Sequence, residues 1–353
     1  MNITFLIGNG FDLRVGMKTR FTDMYEGYIA QDSKSDVIRK FKAMLEADAP
    51  TYKTWGDFEM AMAEKAKEFD DEDSFIASLR DFKLYMVSHL EKEQEQFQNR
   101  TAIGKGVRGR CIDETTKAME EFYTGLRPNI VNEFIRLGSK ENPTYHFISF
   151  NYTKIFDYVL DPYAGNIIHV HGSLGADVVL GADNISQLTD LPYETTRRLE
   201  RAFIKPEFNK IYDNARLEKA KSIIDGSNII CIYGMSLGKS DLSWTNRILS
   251  WLLSDKNHHL VYFVYDESVF NKSNWDAIID EEEDRIASLL GKICDSGDEM
   301  SQIFDQVHIP VGYDIFDIDK ILNAEKRKAE DEREAKEAIR QRLAESKAHL
   351  SGV

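Results

Sequence analysis

The sequence predicts an α/β protein: a mostly parallel sheet with helices on both faces, a large helical insertion after the first strand, and a long charged helix at the C-terminal end. Three observations predict it. Short apolar runs at residues 3–7, 145–150, 166–171, 228–233 and 260–265 alternate with helical patterns, as strands buried on both faces do. A helical stretch over residues 17–140 separates the first of these runs from the second. Residues 323–350 are dense in Ala, Glu, Lys and Arg and poor in large apolar side chains.

The first strand, ITFLI, breaks at Gly8-Asn9-Gly10. Two glycines flanking one residue let the backbone approach a phosphate, because no Cβ intervenes. A helix opening there with Phe11 and Asp12 would aim unpaired amides at the same spot. The third glycine of the usual dinucleotide fingerprint is replaced by Leu13, and Gly16 follows later.

Within the insertion, Leu79, Phe82, Met86 and Leu90 recur at helical spacing over residues 73–100, with Asp73 or Ser74 as cap. Ile130, Val131, Phe134 and Leu137 repeat the pattern before Gly138. Residues 100–110, RTAIGKGVRGR, read as a small basic, Gly-rich loop. WGDFE at residues 55–59 has two readings: Asp57 caps a helix and Trp55 packs in the core, or Asp57 and Glu59 are an acidic pair reaching a site. In the tail, residues 325–347 hold eight basic and seven acidic residues, which reads as a solvated helix supported by i,i+4 pairs. Ile339, Leu343 and Leu350 form a thin apolar seam that leaves self-association or a partner helix open beside the solvated reading. The acidic run 280–284 reads as a solvated face.

Composition narrows the function. A net charge of −15 disfavours wholesale binding to a phosphate backbone. Cys111, Cys231 and Cys294 are far apart and form no CxxC pair, so neither a cysteine-built zinc site nor a disulfide framework is expected. No basic leader and no run of membrane-spanning length occurs, so a cytoplasmic protein is expected.

The strand ends carry the strongest signal. Four strands empty into Gly8-Asn9-Gly10, Asn151-Tyr152-Thr153, His171-Gly172-Ser173 and Gly234-Met235-Ser236; residues 177–180 read as a further short strand ending at Gly181. In an open α/β sheet, ligands sit beyond the carboxyl ends of the strands. The expected fold is therefore Rossmann-like, with residues 1–16 and 144–320 as nucleotide-binding α/β domain, 17–143 as helical insertion and 321–353 as charged helix. His169 stands two residues before His171 and would share its side of a regular strand.

IGNGFDLRVG, WGDFE, SFNYT, HVHGSL and IYGMSLGKSD, in this order over residues 3–270, resemble the bacterial abortive-infection family AbiH. The same skeleton is more distantly similar to the sirtuin NAD-binding fold. Gly8, Asn9, Gly10 and Gly16 match the spacing of the sirtuin glycine motif. Asn151 falls where sirtuins place their catalytic asparagine, and His171-Gly172 where they place the catalytic histidine and its glycine. Gly234-Met235-Ser236 resembles their later Gly-Thr-Ser segment. Phe11, Asp12 and Asp241, inside these motifs, complete the expected binding set. The departures are a missing zinc ribbon, Thr153 in place of aspartate, and Lys18-Thr19 in place of Pro-Asp; together they argue against protein deacylation.

The resemblance implies an antiphage effector that hydrolyses NAD, with no metal. Asn151 would hold a water or ribose hydroxyl, and His171 would accept a proton. Gly8 to Gly10 would cradle the pyrophosphate, with Gly234 and Ser236 on the adenosine half or a phosphate. Asp12 either binds a ribose hydroxyl or caps its helix. A phage-derived trigger and a homo-oligomer through the insertion or the charged helix are expected. A non-catalytic nucleotide sensor and, less favoured, a nuclease are the competing readings.

Overall fold

The computed structural model describes residues 1–48, 55–102, 106–126, 128–138, 142–264, 275–290, 303, 305–310 and 315–351. Asp266, Glu267 and Cys294 lie outside these residues, as do the side chains of Trp55, Asp57, Leu343 and Leu350.

The centre is a six-stranded parallel sheet in the order β3-β2-β1-β4-β5-β6. Its strands are β1 (Asn2–Ile7), β2 (Thr144–Ser149), β3 (Ile167–His169), β4 (Ile229–Tyr233), β5 (His259–Phe263) and β6 (Val307–His308). The order reverses between β1 and β4, which places a topological switch point at the exit of β1. The fold is α/β and Rossmann-like.

Strand alternation divides the core. Phe5, Ile7, Phe147, Cys231, Tyr233 and Val261 face one layer. There they meet α1 (Gly10–Arg14), α6 (Val107–Glu120), α7 (Pro128–Gly138), α8 (Ile155–Leu160) and the start of α14 (Ile318–Ser351). Leu6, Ile148, Ile230, Ile232 and Leu260 face the other, against α11 (Asn214–Asp225), α12 (Leu242–Ser254) and α13 (Trp275–Leu290). These central strands are apolar on both faces because both are covered.

The insertion builds a core of its own from α2 (Phe21–Ile29), α3 (Asp36–Asp48), α4 (Trp55–Lys65) and α5 (Glu72–Ala102). Phe21, Phe58 and Phe82 stack at its centre. Leu174, Val178, Leu180, Ala182, Leu199 and Phe203 join this core, although they follow β3 in the chain. The segment 174–204, with α9 (Arg197–Phe203), thus lies against the insertion. It leads into α10 (Lys205–Tyr212).

Several local expectations change. Residues 177–180 are not a strand: Val178 makes a single bridge to Gly172, and Gly172 and Gly181 both have positive φ. The basic residues of 100–110 lie largely on helices. Arg100 ends α5, Arg108 covers the Tyr158 ring at 4.3 Å, and Arg110 pairs with Glu325. Asp71, rather than Asp73 or Ser74, caps α5 by accepting from the Ser74 amide at 2.7 Å. Asp213 separates α10 from α11, its side chain accepting from the Arg216 amide at 3.0 Å. The tail is helical and exposed, with Ile339 57% exposed. No helix among the described residues is long and apolar enough to cross a membrane.

Candidate functional site

The register sets the rim. Ile7, Ser149, His169 and Tyr233 form one row across four strands. Gly8, Phe150 and Val170 continue the ladder one residue further by donating to Tyr233, Ile7 and Ser149 carbonyls. Immediately beyond stand Asn9, Asn151 and His171. They line a cavity of about 260 Å³ with Gly8, Gly10, Asp12, Gly234, Ser236 and Asp241. A second cavity of about 540 Å³ adjoins it and shares Gly10, Leu13, Arg20, Gly234, Met235 and Ser236. Tyr262, Val264 and Glu282 close its far side.

The glycines are on the rim for a reason the sequence did not disclose. A Cβ on Gly10 would stand 2.5 Å from Gly234 Cα, and one on Gly234 would stand 2.7 Å from Gly10 Cα. The exits of β1 and β4 are pressed together, and Gly234 holds φ +68°. The Gly8 and Gly10 amides donate to Tyr233 and Gly234 carbonyls, both at 2.9 Å, and the Phe11 amide donates to Gly8. These three donors serve the turn. With α1 only five residues long, the expected amide cradle is reduced. Asn9 is similarly committed: its Oδ1 accepts from Thr19 Oγ1 at 2.8 Å and its Nδ2 donates to Thr19 O, pinning the following loop to the turn.

Three expected binding residues lie away from the cavity. Phe11 is fully buried among Phe156, Tyr233 and Phe316. Gly16, φ +79°, follows the C-cap of α1, where its amide donates to the Leu13 carbonyl at 3.0 Å. Gly172, φ +76°, lets the Asp177 carbonyl approach where a side chain would collide with it. All three do structural work that mimics a motif.

Asn151 and His171 do come together at the cavity. Asn151 is buried, and its Nδ2 donates to Asp12 Oδ1 at 3.2 Å while its Oδ1 has no hydrogen-bond partner among the described residues. Thr153 Oγ1 donates to Asp12 Oδ2 at 2.6 Å. Burial is the largest influence on Asp12 and lifts its carboxyl to about 7, against the lowering effect of these two donors. His171 packs edge-on to Phe150 and sets Nε2 against Asp241 Oδ1 at 2.8 Å, while its Nδ1 has no hydrogen-bond partner among the described residues. His169 is turned elsewhere, because β3 ends with it. Its Nδ1 meets the Asn151 carbonyl at 3.1 Å and its Nε2 meets Asp157 at 3.0 Å, so it braces the loop that carries Asn151.

An ion cluster underlies the site. Lys205 Nζ, 3% exposed at the residue level, contacts Glu59 Oε2 at 2.8 Å, Asp241 Oδ1 at 3.1 Å and Ser240 O at 3.2 Å. Burial disfavours its charge, but Asp241 and Glu59 outweigh that and raise its pKa. Burial likewise disfavours the Asp241 carboxylate, yet Lys205 and His171 hold its pKa below the ordinary value. On Glu59 burial prevails over Lys205 and the pKa rises. From WGDFE, Glu59 reaches the cavity, with its Oε1 also accepting from the Gly181 amide. Lys205 was not foreseen: its two carboxylate partners are 146 and 36 residues away in the chain. Among the described residues no group of three or more His, Cys, Asp or Glu is placed to hold a metal ion.

A doubly wound sheet with a cavity at its switch point, into which a few polar side chains converge, defines a Rossmann-type protein with a candidate small-molecule site. The family model described as bacteriophage abortive infection AbiH matches residues 4–265. The chain belongs to that family. Neither the comparison with curated proteins nor that with solved structures gives a match.

Proposed function

We propose that this AbiH protein is an abortive-infection effector that cleaves NAD to nicotinamide and ADP-ribose, with NAD as substrate and no metal. One observation carries the reading. Asn151 Oδ1 and His171 Nδ1, from different strand ends, are buried polar atoms at one cavity at the switch point that have no hydrogen-bond partner among the described residues. Buried polar atoms are ordinarily paired, so such atoms on a cavity wall call for a ligand.

The chemistry fits those groups. Breaking the nicotinamide–ribose bond passes through an oxocarbenium-like state, as in glycoside hydrolysis. Nicotinamide leaves as its pyridinium charge is neutralised, water adds to the ribose carbon, and one proton is released. Asn151 Oδ1 accepts a hydrogen bond from a ribose hydroxyl or the incoming water, and His171 takes up the proton. The two adjoining cavities suit the two halves of a dinucleotide. Arg20 lies at their junction, and its guanidinium has no ion-pair partner among the described residues. With the Gly8 and Gly10 amides already donated, Arg20 supplies the charge that a pyrophosphate needs.

The test follows nicotinamide and ADP-ribose after incubation with NAD, with and without lysate from phage-infected cells. Turnover is expected, and Asn151→Ala and His171→Ala should each lose it while keeping the far-UV spectrum. Arg20→Ala should raise KM roughly tenfold or more, the scale of a lost charge-assisted hydrogen bond, with kcat less affected. Saturable NAD binding with no nicotinamide release under either condition would favour a nucleotide sensor instead. Cleavage of nucleic acid would point to a nuclease.

A further inference from the structure

Asn151 brings two different ends to a ligand, and only one of them is available. A side-chain amide has donors on Nδ2 and an acceptor on Oδ1. Here Nδ2 is spent on Asp12 and Oδ1 is buried without a partner. Asp12 is 1% exposed, lines the same cavity, and uses both oxygens as acceptors, toward Asn151 and Thr153.

We propose that Asp12 is a positioning residue that selects which end of the Asn151 amide meets the ligand. As a carboxylate it holds Nδ2 and leaves Oδ1 to accept from a ligand hydroxyl or a water. Once protonated it donates to Oδ1, the amide turns over, and that acceptor is withdrawn. The proton moves between solvent and one carboxyl oxygen, and no covalent bond is otherwise altered.

In the protonated state the turned amide pairs Oδ1 with the Asp12 hydroxyl and presents Nδ2 to the cavity, where water or a ligand acceptor takes its protons, so the polarity that Asn151 offers is reversed. The surroundings also bring the change within reach of neutral pH. Burial lifts the Asp12 carboxyl to about 7; the charged groups acting on it are His169 from β3, which lowers it, and Asp157 from α8, which raises it. The ligand group that Asn151 recognises is thus a hydrogen-bond donor. Only its assignment to a ribose hydroxyl or the attacking water rests on the NAD reading.

The deciding experiment needs no substrate. Carboxyl and side-chain amide NMR signals of the ligand-free chain are followed from about pH 5 to about pH 9, assigned with Asp12→Asn and Asn151→Asp. The Asp12 carboxyl should titrate near neutrality, and the Asn151 amide signals should shift with the same midpoint. Thr153→Val removes one donor to the carboxylate and should move both midpoints upward. An Asp12 midpoint below about 5, or an Asn151 amide that does not follow it, overturns the proposal. Where NAD is cleaved, kcat/KM should rise with pH at that midpoint, and Asp12→Asn should abolish the limb. If both signals titrate together yet NAD is not cleaved, the switch stands and only the NAD reading falls.

Discussion

Asp12 destabilises the fold in the pH range where its carboxylate form is populated. Its carboxyl titrates near 7 in the folded chain, against an ordinary 3.8. Between those values the folded chain binds a proton that the unfolded chain releases, so stability falls as pH rises through the window and levels off above about 7. At 1.36 kcal/mol per pKa unit, the shift amounts to a cost of order 4 kcal/mol at pH 8. Asp12→Asn is therefore expected to melt higher than the parent at pH 8 and to match it near pH 4. A variant less stable than the parent at pH 8 would show that the two hydrogen bonds outweigh burial. Such a gain in stability accompanied by loss of the site's acceptor geometry would be a stability–function trade-off. Residue types and strand ends made Asn151 and His171 legible from sequence. Asp12 was legible as a binder or cap, but its raised pKa comes from burial in the folded chain, and the two donors that oppose it, Asn151 and Thr153, stand about 140 positions away.

At the scale of elements, Lys205 fastens three separate pieces of chain together. Glu59 comes from α4 in the insertion, Lys205 from the first position of α10, and Asp241 from the exit of β4. Removing the cation leaves two buried carboxylates facing each other, and breaking a buried pair in this way costs about 3–5 kcal/mol. Lys205→Met should lower the urea midpoint accordingly, and Lys205→Met with Glu59→Gln should recover part of the loss. Additive losses in the pair would mean that Glu59 and Lys205 act independently. WGDFE reads ambiguously in sequence because two acidic residues two apart do not share a helix face; Glu59 meets the site, and the Asp57 side chain lies outside the described residues. The strands were legible because apolar runs ended in Gly, Asn or His. β6 was missed because it has only two residues, and residues 177–180 were misread because the pattern Asp-Val-Val-Leu cannot reveal that its neighbours Gly172 and Gly181 turn the backbone.

For the whole molecule, among the described residues, the sheet and the C-terminal helix are coupled only around the helix start. Phe316 packs against Phe11, Phe156 and Tyr233, while Arg14 meets Asp317 at 3.4 Å and Asp319 at 2.6 Å. Phe11 precedes Asp12 and Tyr233 precedes Gly234, so this aromatic cluster supports the floor from which both loops leave the sheet. Beyond Glu325 the described side chains of α14 are exposed. Two changes should therefore separate cleanly. Phe316→Ala empties a fully buried ring site and should cost about 3–5 kcal/mol in denaturant unfolding. A chain stopped at Lys328 should keep its thermal midpoint within about 2 °C, because exposed i,i+4 pairs add only tenths of a kcal/mol. A larger drop that depends on protein concentration would mean that the exposed helix is held by a second copy of the chain, since assembly stabilises by mass action. Sedimentation of the full and shortened chains reads that directly: an unchanged molecular mass leaves assembly to other surfaces, and a smaller one assigns it to the helix.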